Sequence, residues 1–147
     1  MVPEWQIHQV DADAAFRRSL VFLLESMGWP VQAHASAADY LDAGLPALEQ
    51  TGCLLLDVRM PGMSGLELQQ ALIARGCHLP IVFITGHGDV ELAVQAMKRG
   101  AFDFLEKPLT LEKVMVAVKN ALQMRQLERE NRQLRDEEQS RYTIIGE

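Results

Sequence analysis

Two short runs of uninterrupted apolar residues constrain the fold of this chain more than any other feature of its sequence. The runs are "CLLL" (53–56) and "IVFI" (81–84), and neither alternates between apolar and polar positions. Continuous runs of this length are typical of strands that are covered on both faces, as in a parallel sheet between two layers of helices. The two runs therefore predict buried strands of an α/β sheet.

Three further segments are weaker strand candidates, and helical patterns alternate with the strands. These segments are "WQIHQV" (5–10), "VQAHA" (31–35) and "FDFL" (102–105). The first is the least convincing, because two glutamines and a histidine are unusual in a buried strand. The alternation along the chain predicts repeated βα units and an open, doubly wound α/β fold.

Three apolar stripes with helical spacing lie between the strand candidates. Asp13 is a candidate N-cap for the first helix, and Gly28 is a candidate stop signal. Ser64 and Glu67 have the spacing of a capping box at the start of the second helix. Asp89 is a candidate cap for the third helix, whose stripe consists of Val90, Ala93, Val94 and Met97.

The composition indicates one compact domain with an appended element. A chain of 147 residues with 48% hydrophobic composition is long enough for one domain with a core but hardly for two. The formal net charge of -6 argues against binding of a nucleic-acid backbone or an anionic membrane by this segment. No apolar stretch reaches the roughly 18 residues of a membrane span, and no signal peptide is recognisable. A cytoplasmic location is therefore expected.

The cysteines and histidines do not have the spacing of a metal site or a disulfide framework. Cys53 and Cys77 lie far apart and are predicted to be small core residues in a reducing compartment. A histidine metal site is not predicted, because ligand spacing is absent among His8, His34, His78 and His87.

The chain changes character after Pro108, where residues 110 to about 142 are predicted to form one long helix. The second half of this helix is much more polar than the other helical segments. A coiled-coil stripe is predicted at Met124, Leu127, Asn131 and Leu134. An asparagine within such a stripe favours two-stranded, in-register pairing at some loss of stability. The alternative is a single solvated helix held by Glu/Arg pairs.

Polar residues directly follow most of the predicted strands. In an open α/β sheet, ligands bind outside the carboxyl ends of the strands, where the strand order reverses. The candidates for one shared pocket are Asp11, Asp13, Asp57, Thr85, Glu106 and Lys107. Asp57 could instead only open the turn before Pro61, but the rest of the pocket would then be a coincidence.

The residue types in this pocket are those required for phosphoryl transfer. Clustered carboxylates raise one another's pKa unless a cation lies between them, and hard oxygen ligands suit Mg²⁺. A lysine provides a positive charge for a phosphoryl group, and a threonine hydroxyl provides a hydrogen-bond donor. Asp57 is therefore the candidate nucleophile that accepts a phosphoryl group.

Four segments of the chain resemble, in order and spacing, the receiver domain of bacterial two-component response regulators. They are "VDAD" with an arginine six residues after Asp11, "LLLDVRMPGMSGLEL", "IVFITGHGD" and "AMKRGAFDFLEKP". The resemblance covers residues 5 to about 120 and implies a five-stranded parallel sheet in flavodoxin-like order. It also implies that Asp57 accepts phosphate from a sensor histidine kinase, and that the domain is not an enzyme beyond self-directed phosphotransfer and dephosphorylation.

The resemblance assigns a switching role to three further residues. Lys107, which precedes a cis Pro108 in the family, would contact the acyl phosphate. Thr85 would turn its hydroxyl toward the phosphoryl group while the ring of Phe104 moves inward. These movements would change the surface of the fourth helix and fifth strand, through which such receivers commonly form homodimers.

The expected metal site departs from the family pattern at one position. The resemblance implies that Asp11, Asp57 and the backbone carbonyl of Arg59 hold Mg²⁺, together with a second acid next to Asp11. That second position is Ala12 in this chain. Metal affinity follows the number of charged ligands, so weaker Mg²⁺ binding and slower phosphorylation are expected. Asp13 is a candidate substitute ligand, although it is also a candidate helix cap.

The C-terminal segment resembles the linker of sigma-54-dependent activators of the dicarboxylate-transport and nitrogen-regulation type. "LERENRQLRDEE" leads to "YTIIGE", and in those proteins "IIGE" lies at the entrance to an AAA+ ATPase module. The expected division is a receiver at 1–120, a helical linker at 121–142 and the start of a missing output module at 143–147. The alternative is a LuxR-type output, because the receiver also resembles nitrogen-fixation regulators that carry one. DNA binding is expected only through such a module.

Two other functions are compatible with the sequence. In a phosphohydrolase of the haloacid-dehalogenase kind, "VDAD" would be the nucleophile motif and Asp11 would carry the phosphoryl group. That interpretation requires a cap segment, which this length hardly allows. A pseudo-receiver, which folds and dimerises but is not phosphorylated, is the other alternative, and Ala12 is the residue that supports it.

Overall fold

The strands and helices of the chain alternate as the sequence patterns predict. The structure is a computed structural model that describes residues 5–43, 51–77, 79–86 and 88–145, apart from the side chains of residues 5, 6, 51, 129 and 132–145. The elements are β1 (Trp5–Val10), α1 (Ala14–Ser26), β2 (Val31–His34), α2 (Ala37–Asp42), β3 (Thr51–Asp57), α3 (Gly65–Ala74), β4 (Ile81–Thr85), α4 (Val90–Lys98), β5 (Asp103–Glu106) and α5 (Leu111–Ile145).

The five strands form one parallel sheet in the order β2-β1-β3-β4-β5. This order confirms the doubly wound, flavodoxin-like prediction. The segment 5–10, the least convincing strand in the sequence, pairs with both β2 and β3. Its polar residues His8 and Gln9 are buried nevertheless, so tertiary context overrides the local preference.

Two apolar cores cover the two faces of the sheet. The core beneath α1 and α5 includes Leu55 and Ile84, and the core beneath α2, α3 and α4 includes Leu56 and Phe83. Successive side chains of a strand point to opposite faces, so β3 and β4 need apolar residues at every position. This requirement explains the two continuous apolar runs. Cys53 is fully buried, as predicted for a core residue.

The start signals of two helices are confirmed by their hydrogen bonds. The Asp13 carboxylate accepts from the backbone N–H groups of Ala15 and Phe16 and caps α1. At the start of α3, the Ser64 hydroxyl oxygen accepts from the backbone N–H of Glu67 over 3.2 Å. The Ser64 hydroxyl also donates to the Glu67 carboxylate over 3.3 Å, which completes the predicted side-chain pair.

The predicted side-chain cap of α4 is wrong, and the predicted apolar stripe is only partly buried. Asp89 occupies the N-cap position but makes no side-chain cap bond, because its carboxylate pairs with the Arg59 guanidinium at 2.7 Å instead. Of the predicted apolar stripe, Ala93 is buried, whereas the larger members Val90, Val94 and Met97 are exposed. Ala96, which is also buried, belongs to the core beneath α2, α3 and α4, and the half-buried Leu92 packs against that core.

Of the two remaining helices, one was predicted and the other was not. The short helix α2 was not predicted, although Ser36 caps it by accepting from the backbone N–H of Asp39. The long helix after Pro108 corresponds to α5. Within its described side chains, Met124 is half-buried and Leu127 and Asn131 are exposed, while the Leu134 side chain lies outside the described residues. Their pairing with a second helix stays a prediction.

None of the helices in the described part of the chain is both long and apolar enough to cross a membrane.

Candidate functional site

The carboxyl ends of the strands bring the predicted polar residues to one edge of the sheet. Asp11 directly follows β1, and Asp57 and Thr85 are the last residues of β3 and β4. Lys107 follows β5, and its backbone N–H donates to the Thr85 carbonyl oxygen over 2.9 Å. Glu106 ends β5 and is exposed. The strand order reverses beside Asp11, so these residues lie where ligands bind in this class of sheet.

Asp11 is an almost completely buried carboxylate. Only 1% of its side chain is exposed, and its Oδ1 atom accepts from the backbone N–H of Asp13 over 2.8 Å. Its backbone carbonyl oxygen accepts from the guanidinium of Arg17 over 2.7 Å, which ties the end of β1 to α1. Burial raises the pKa of Asp11, and the Asp13 hydrogen bond and the charge of Lys107 only partly offset this effect.

Asp57 is half-buried and is affected by the negative charge of Asp11. Its Oδ1 atom accepts from the backbone N–H of Arg59 over 3.3 Å. Burial first, and then the negative charge of Asp11, raises the pKa of Asp57 to about 6. Lys107 opposes this rise without cancelling it. The two acids therefore form a region of excess negative potential, in which a cation would be stabilised.

Lys107 reaches into this region from β5. Its ammonium lies 4.0 Å from Asp11 Oδ2, and 4.1 Å from the centroid of the Phe16 ring. The peptide bond between Lys107 and Pro108 is cis. Phe16, which lies on α1, was not among the predicted site residues. Its position in the first turn after Asp13 could have indicated that its ring lies near the ends of the strands.

Thr85 and Phe104 lie on either side of the β4–β5 pairing. The Thr85 side chain is buried, and its hydroxyl donates to the Leu105 carbonyl oxygen over 3.3 Å. Phe104 is half-buried and packs against the core beneath α2, α3 and α4. Thr85 thus lies at the carboxyl end of β4, whereas Phe104 lies within β5, where it pairs with Phe83.

The residues present fit a divalent cation, but they supply few charged ligands. Asp11 Oδ2 is buried and accepts no hydrogen bond from the described residues, which is unfavourable for a carboxylate oxygen unless a cation contacts it. No group of three His, Cys, Asp or Glu side chains in the described residues is arranged to hold a metal ion. Position 12 is alanine, and the neighbouring Asp13 is engaged as the α1 cap. Asp11 and Asp57 remain as the carboxylates for a cation.

Two further features around Asp57 were not predicted: the close approach of Gly65 and the ion pair between Arg59 and Asp89. Gly65 donates its backbone N–H to the Val58 carbonyl oxygen over 3.0 Å, and a Cβ atom at this position would overlap the Asp57 carbonyl oxygen. The loop after β3 can therefore turn this closely only with glycine. The Arg59–Asp89 ion pair links the loop after β3 to the start of α4, and Asp89 contributes to the raised pKa of Asp57.

Comparison with known proteins agrees with this architecture. A family model described as the response regulator receiver domain matches residues 7–119. The transcriptional regulatory protein FixJ of Azorhizobium caulinodans is 55% identical over 116 residues, which are 79% of this chain and 54% of that protein. The chain spans about half the length of the curated relatives it matches.

Two solved structures have the same fold over most of this chain. The match to the response regulator StyR covers 96% of this chain and 70% of the StyR chain, with a TM-score of 0.84 and 40% sequence identity. The match to full-length FixJ from B. japonicum covers 80% of this chain and 57% of the FixJ chain, with a TM-score of 0.74 and 46% sequence identity. With its parallel five-stranded sheet and with the family match over most of its length, the chain belongs to the response regulator receiver domain family.

Proposed function

We propose that Asp57 accepts a phosphoryl group from a sensor histidine kinase and that this event controls a transcription-activating output. The position of Asp57 carries the proposal. It is a half-buried carboxylate with a raised pKa at the edge of the sheet, in the electrostatic field of Asp11 and Lys107. The transcriptional role is supported by relatives that are named as transcriptional regulatory proteins.

The chemistry assigned to the pocket is an in-line displacement at phosphorus. A carboxylate oxygen of Asp57 attacks, a P–O bond forms, the P–N bond to the kinase histidine breaks, and the imidazole nitrogen leaves with the bonding electron pair. Mg²⁺ held by Asp11, Asp57 and the Arg59 carbonyl would neutralise charge on the phosphoryl oxygens. Lys107, which follows β5, provides a second positive charge.

The switch is assigned to Thr85 and Phe104. In the resting chain the Thr85 hydroxyl donates to the Leu105 carbonyl oxygen, so a phosphoryl oxygen on Asp57 competes for this donor. Movement of the hydroxyl frees space for the half-buried Phe104 ring. The resulting change is transmitted to α4, whose exposed apolar residues would then take part in dimer formation.

We assign the output and the dimer linker by the division that the sequence predicts. Residues 1–120 are assigned to the receiver, 121–142 to a helical linker that pairs through Met124, Leu127, Asn131 and Leu134, and 143–147 to the start of an output module. The "IIGE" segment favours a sigma-54-type AAA+ module. The identity with FixJ favours the LuxR-type alternative. DNA binding would belong to either module and not to the receiver.

Treatment with acetyl phosphate and Mg²⁺, followed by mass mapping of the modified aspartate, tests the proposal. Modification is expected on Asp57, and Asp57→Asn is expected to abolish it while the chain stays folded. Modification of Asp11 would instead support a phosphohydrolase of the haloacid-dehalogenase kind. The almost complete burial of Asp11 disfavours that outcome.

The pseudo-receiver is the second candidate, and the small number of charged metal ligands favours it. Beryllofluoride with Mg²⁺ mimics the phosphoryl group without covalent transfer. The proposed receiver is expected to change its oligomeric state and the environment of Phe104 under these conditions. A chain that responds in neither respect is a constitutive interaction module.

The Asp13→Ser variant tests whether Asp13 replaces the ligand that is absent at Ala12. Serine keeps a hydrogen-bond acceptor at the N-cap of α1 and removes only the charge, so the helix should stay intact. If Asp13 supports the metal, the variant should bind Mg²⁺ about tenfold more weakly, as expected from one fewer charged ligand. Unchanged affinity in a magnesium titration would show that Asp13 is only a cap.

A further inference from the structure

The ammonium of Lys107 has two neighbours that attract it, and one of them is aromatic. The Nζ atom lies 4.1 Å from the centroid of the Phe16 ring and 4.0 Å from Asp11 Oδ2. The first distance is well within the range of a cation–π contact, whereas the second is at the limit of an ion pair. The ring therefore makes the better-defined of the two contacts.

Lys107 needs a defined position because its side chain is long and partly solvated. Its side chain is 32% exposed, and an ammonium on a flexible four-carbon stem loses its position readily when its partners are weak. Phe16 is half-buried against the core beneath α1 and α5, which fixes its ring. The Phe16 ring therefore restricts the positions that the flexible Lys107 side chain can occupy.

We propose that Phe16 is a positioning residue for Lys107, which holds the ammonium beside Asp11 and Asp57 before the phosphoryl group arrives. The inference rests on the proposed phosphoacceptor function of Asp57. The ring face attracts the cation without the competition for hydrogen bonds that an additional carboxylate would introduce. A lysine that is already at the pocket neutralises the incoming phosphoryl oxygens without a prior search through solvent.

The test compares Phe16→Leu with Phe16→Tyr. Leucine keeps an apolar side chain in the core but removes the ring face, whereas tyrosine keeps the face. Phe22→Leu is the matched control, because it makes the same change on the same helix at a residue that is 78% exposed. Thermal unfolding shows first that all three variants fold.

Two measurements are made on each protein. The first is the NMR shift of the Lys107 ε-methylene protons, which a ring face displaces upfield. The second is the rate of Asp57 phosphorylation by acetyl phosphate with Mg²⁺ at low donor concentration. The displacement should be present in the wild type, Phe16→Tyr and Phe22→Leu, and absent in Phe16→Leu. The rate of Phe16→Leu should fall about threefold to tenfold, the effect of a partly solvated cation–π contact.

The outcomes separate this inference from the function on which it depends. Unchanged Lys107 resonances in Phe16→Leu would overturn the inference, as would an unchanged rate or an equal loss of rate in Phe16→Tyr. A wild-type chain that takes no phosphoryl group on Asp57 would overturn the proposed function itself, and with it the reaction that Phe16 is proposed to serve.

Discussion

At the scale of single residues, the main feature is a pair of acids that the fold keeps close to each other. Asp57 was predicted as the key residue because it follows a fully apolar strand and precedes a turn. Its raised pKa has two causes, burial and the charge of Asp11, and both depend on the neighbouring strands β1 and β3. The identity of the acid was therefore predictable, but its energetic state was not.

Asp57→Asn is expected to stabilise the folded chain at about pH 7.5 in the absence of Mg²⁺. The folded-state pKa of about 6 lies above the ordinary 3.8, so ionisation of Asp57 destabilises the folded chain. This destabilisation grows as the pH rises from 3.8 through 6. Because Asp57 is half-exposed, we expect a gain of only about 1 kcal/mol in the free energy of unfolding. Urea unfolding measures the gain, which should shrink at about pH 5. Equal stabilities at the higher pH would contradict the prediction.

Gly65→Ala is expected to impair both stability and phosphorylation. The added methyl group would overlap the Asp57 carbonyl oxygen, so the loop after β3 must move. We expect a loss of about 2 kcal/mol and a slower reaction, because the displaced backbone carries the nucleophile. Gly76→Ala is the control, since that glycine has a positive φ of 74° but no neighbour near the added atom. The control should lose about 1 kcal/mol and phosphorylate normally.

At the scale of elements, β1, β2 and α2 enclose a cluster of titratable side chains. The rings of His8 and His34 lie 5.8 Å apart, and Tyr40 packs edge-on against both. Burial, followed by the charge of His34, lowers the pKa of His8 to about 4. Burial also lowers the pKa of His34, although Asp39 on α2 opposes this. The cluster was not predicted, because the two histidines are far apart in sequence and meet only through strand pairing.

The buried histidines are expected to make the chain sensitive to acid. A histidine whose folded-state pKa falls from 6.5 to about 4 binds fewer protons than the unfolded chain, so stability is lost as the pH decreases through this interval. His8→Leu should reduce this loss by about 2 kcal/mol between the two pH values. Denaturant unfolding at several pH values measures it. His34→Leu should have a smaller effect because His34 is half-buried, and equal slopes in the wild type and His8→Leu would refute the prediction.

The helices show which sequence signals report packing and which do not. The caps of α1 and α3 were predicted correctly because a cap is a local contact between residues two or three positions apart. The stripe of α4 was predicted from its period, which does not show how far each residue is covered: Ala93 is buried, but the larger members of the stripe are exposed. The fully buried residues of α4 are Ala93 and Ala96, and the larger Leu92 is partly buried against the core that includes Ala96.

At the scale of the whole molecule, the sequence predicts that the second half of α5 pairs with a second copy of the chain. Leu127 lies on the predicted coiled-coil stripe and is 59% exposed in the single chain, which is unfavourable unless a partner helix covers it. Leu127→Glu is therefore expected to weaken the unphosphorylated dimer by more than about tenfold. Gln126→Glu makes the matching change at an exposed position next to the stripe and should leave the dimer intact.

Sedimentation equilibrium measures both α5 variants against the wild type. A loss of dimer in Leu127→Glu but not in Gln126→Glu would support the coiled coil. A chain that is monomeric before any substitution would support the alternative of a single solvated helix. Equal dissociation constants for both variants would show that the dimer uses another surface.

The sequence by itself determined the parallel α/β class, the two central strands, two helix caps and the identity of the acid at the end of β3. These features depend on burial and periodicity within one segment, which the order of residues records directly. Only the tertiary structure decided which side chains meet across segments: Phe16 with Lys107, Arg59 with Asp89, and His8 with His34. Such contacts depend on the strand order and on the close approach of helices to the sheet. A local pattern predicts that a side chain will be buried, but the neighbours it will contact are determined by the packing of the complete fold.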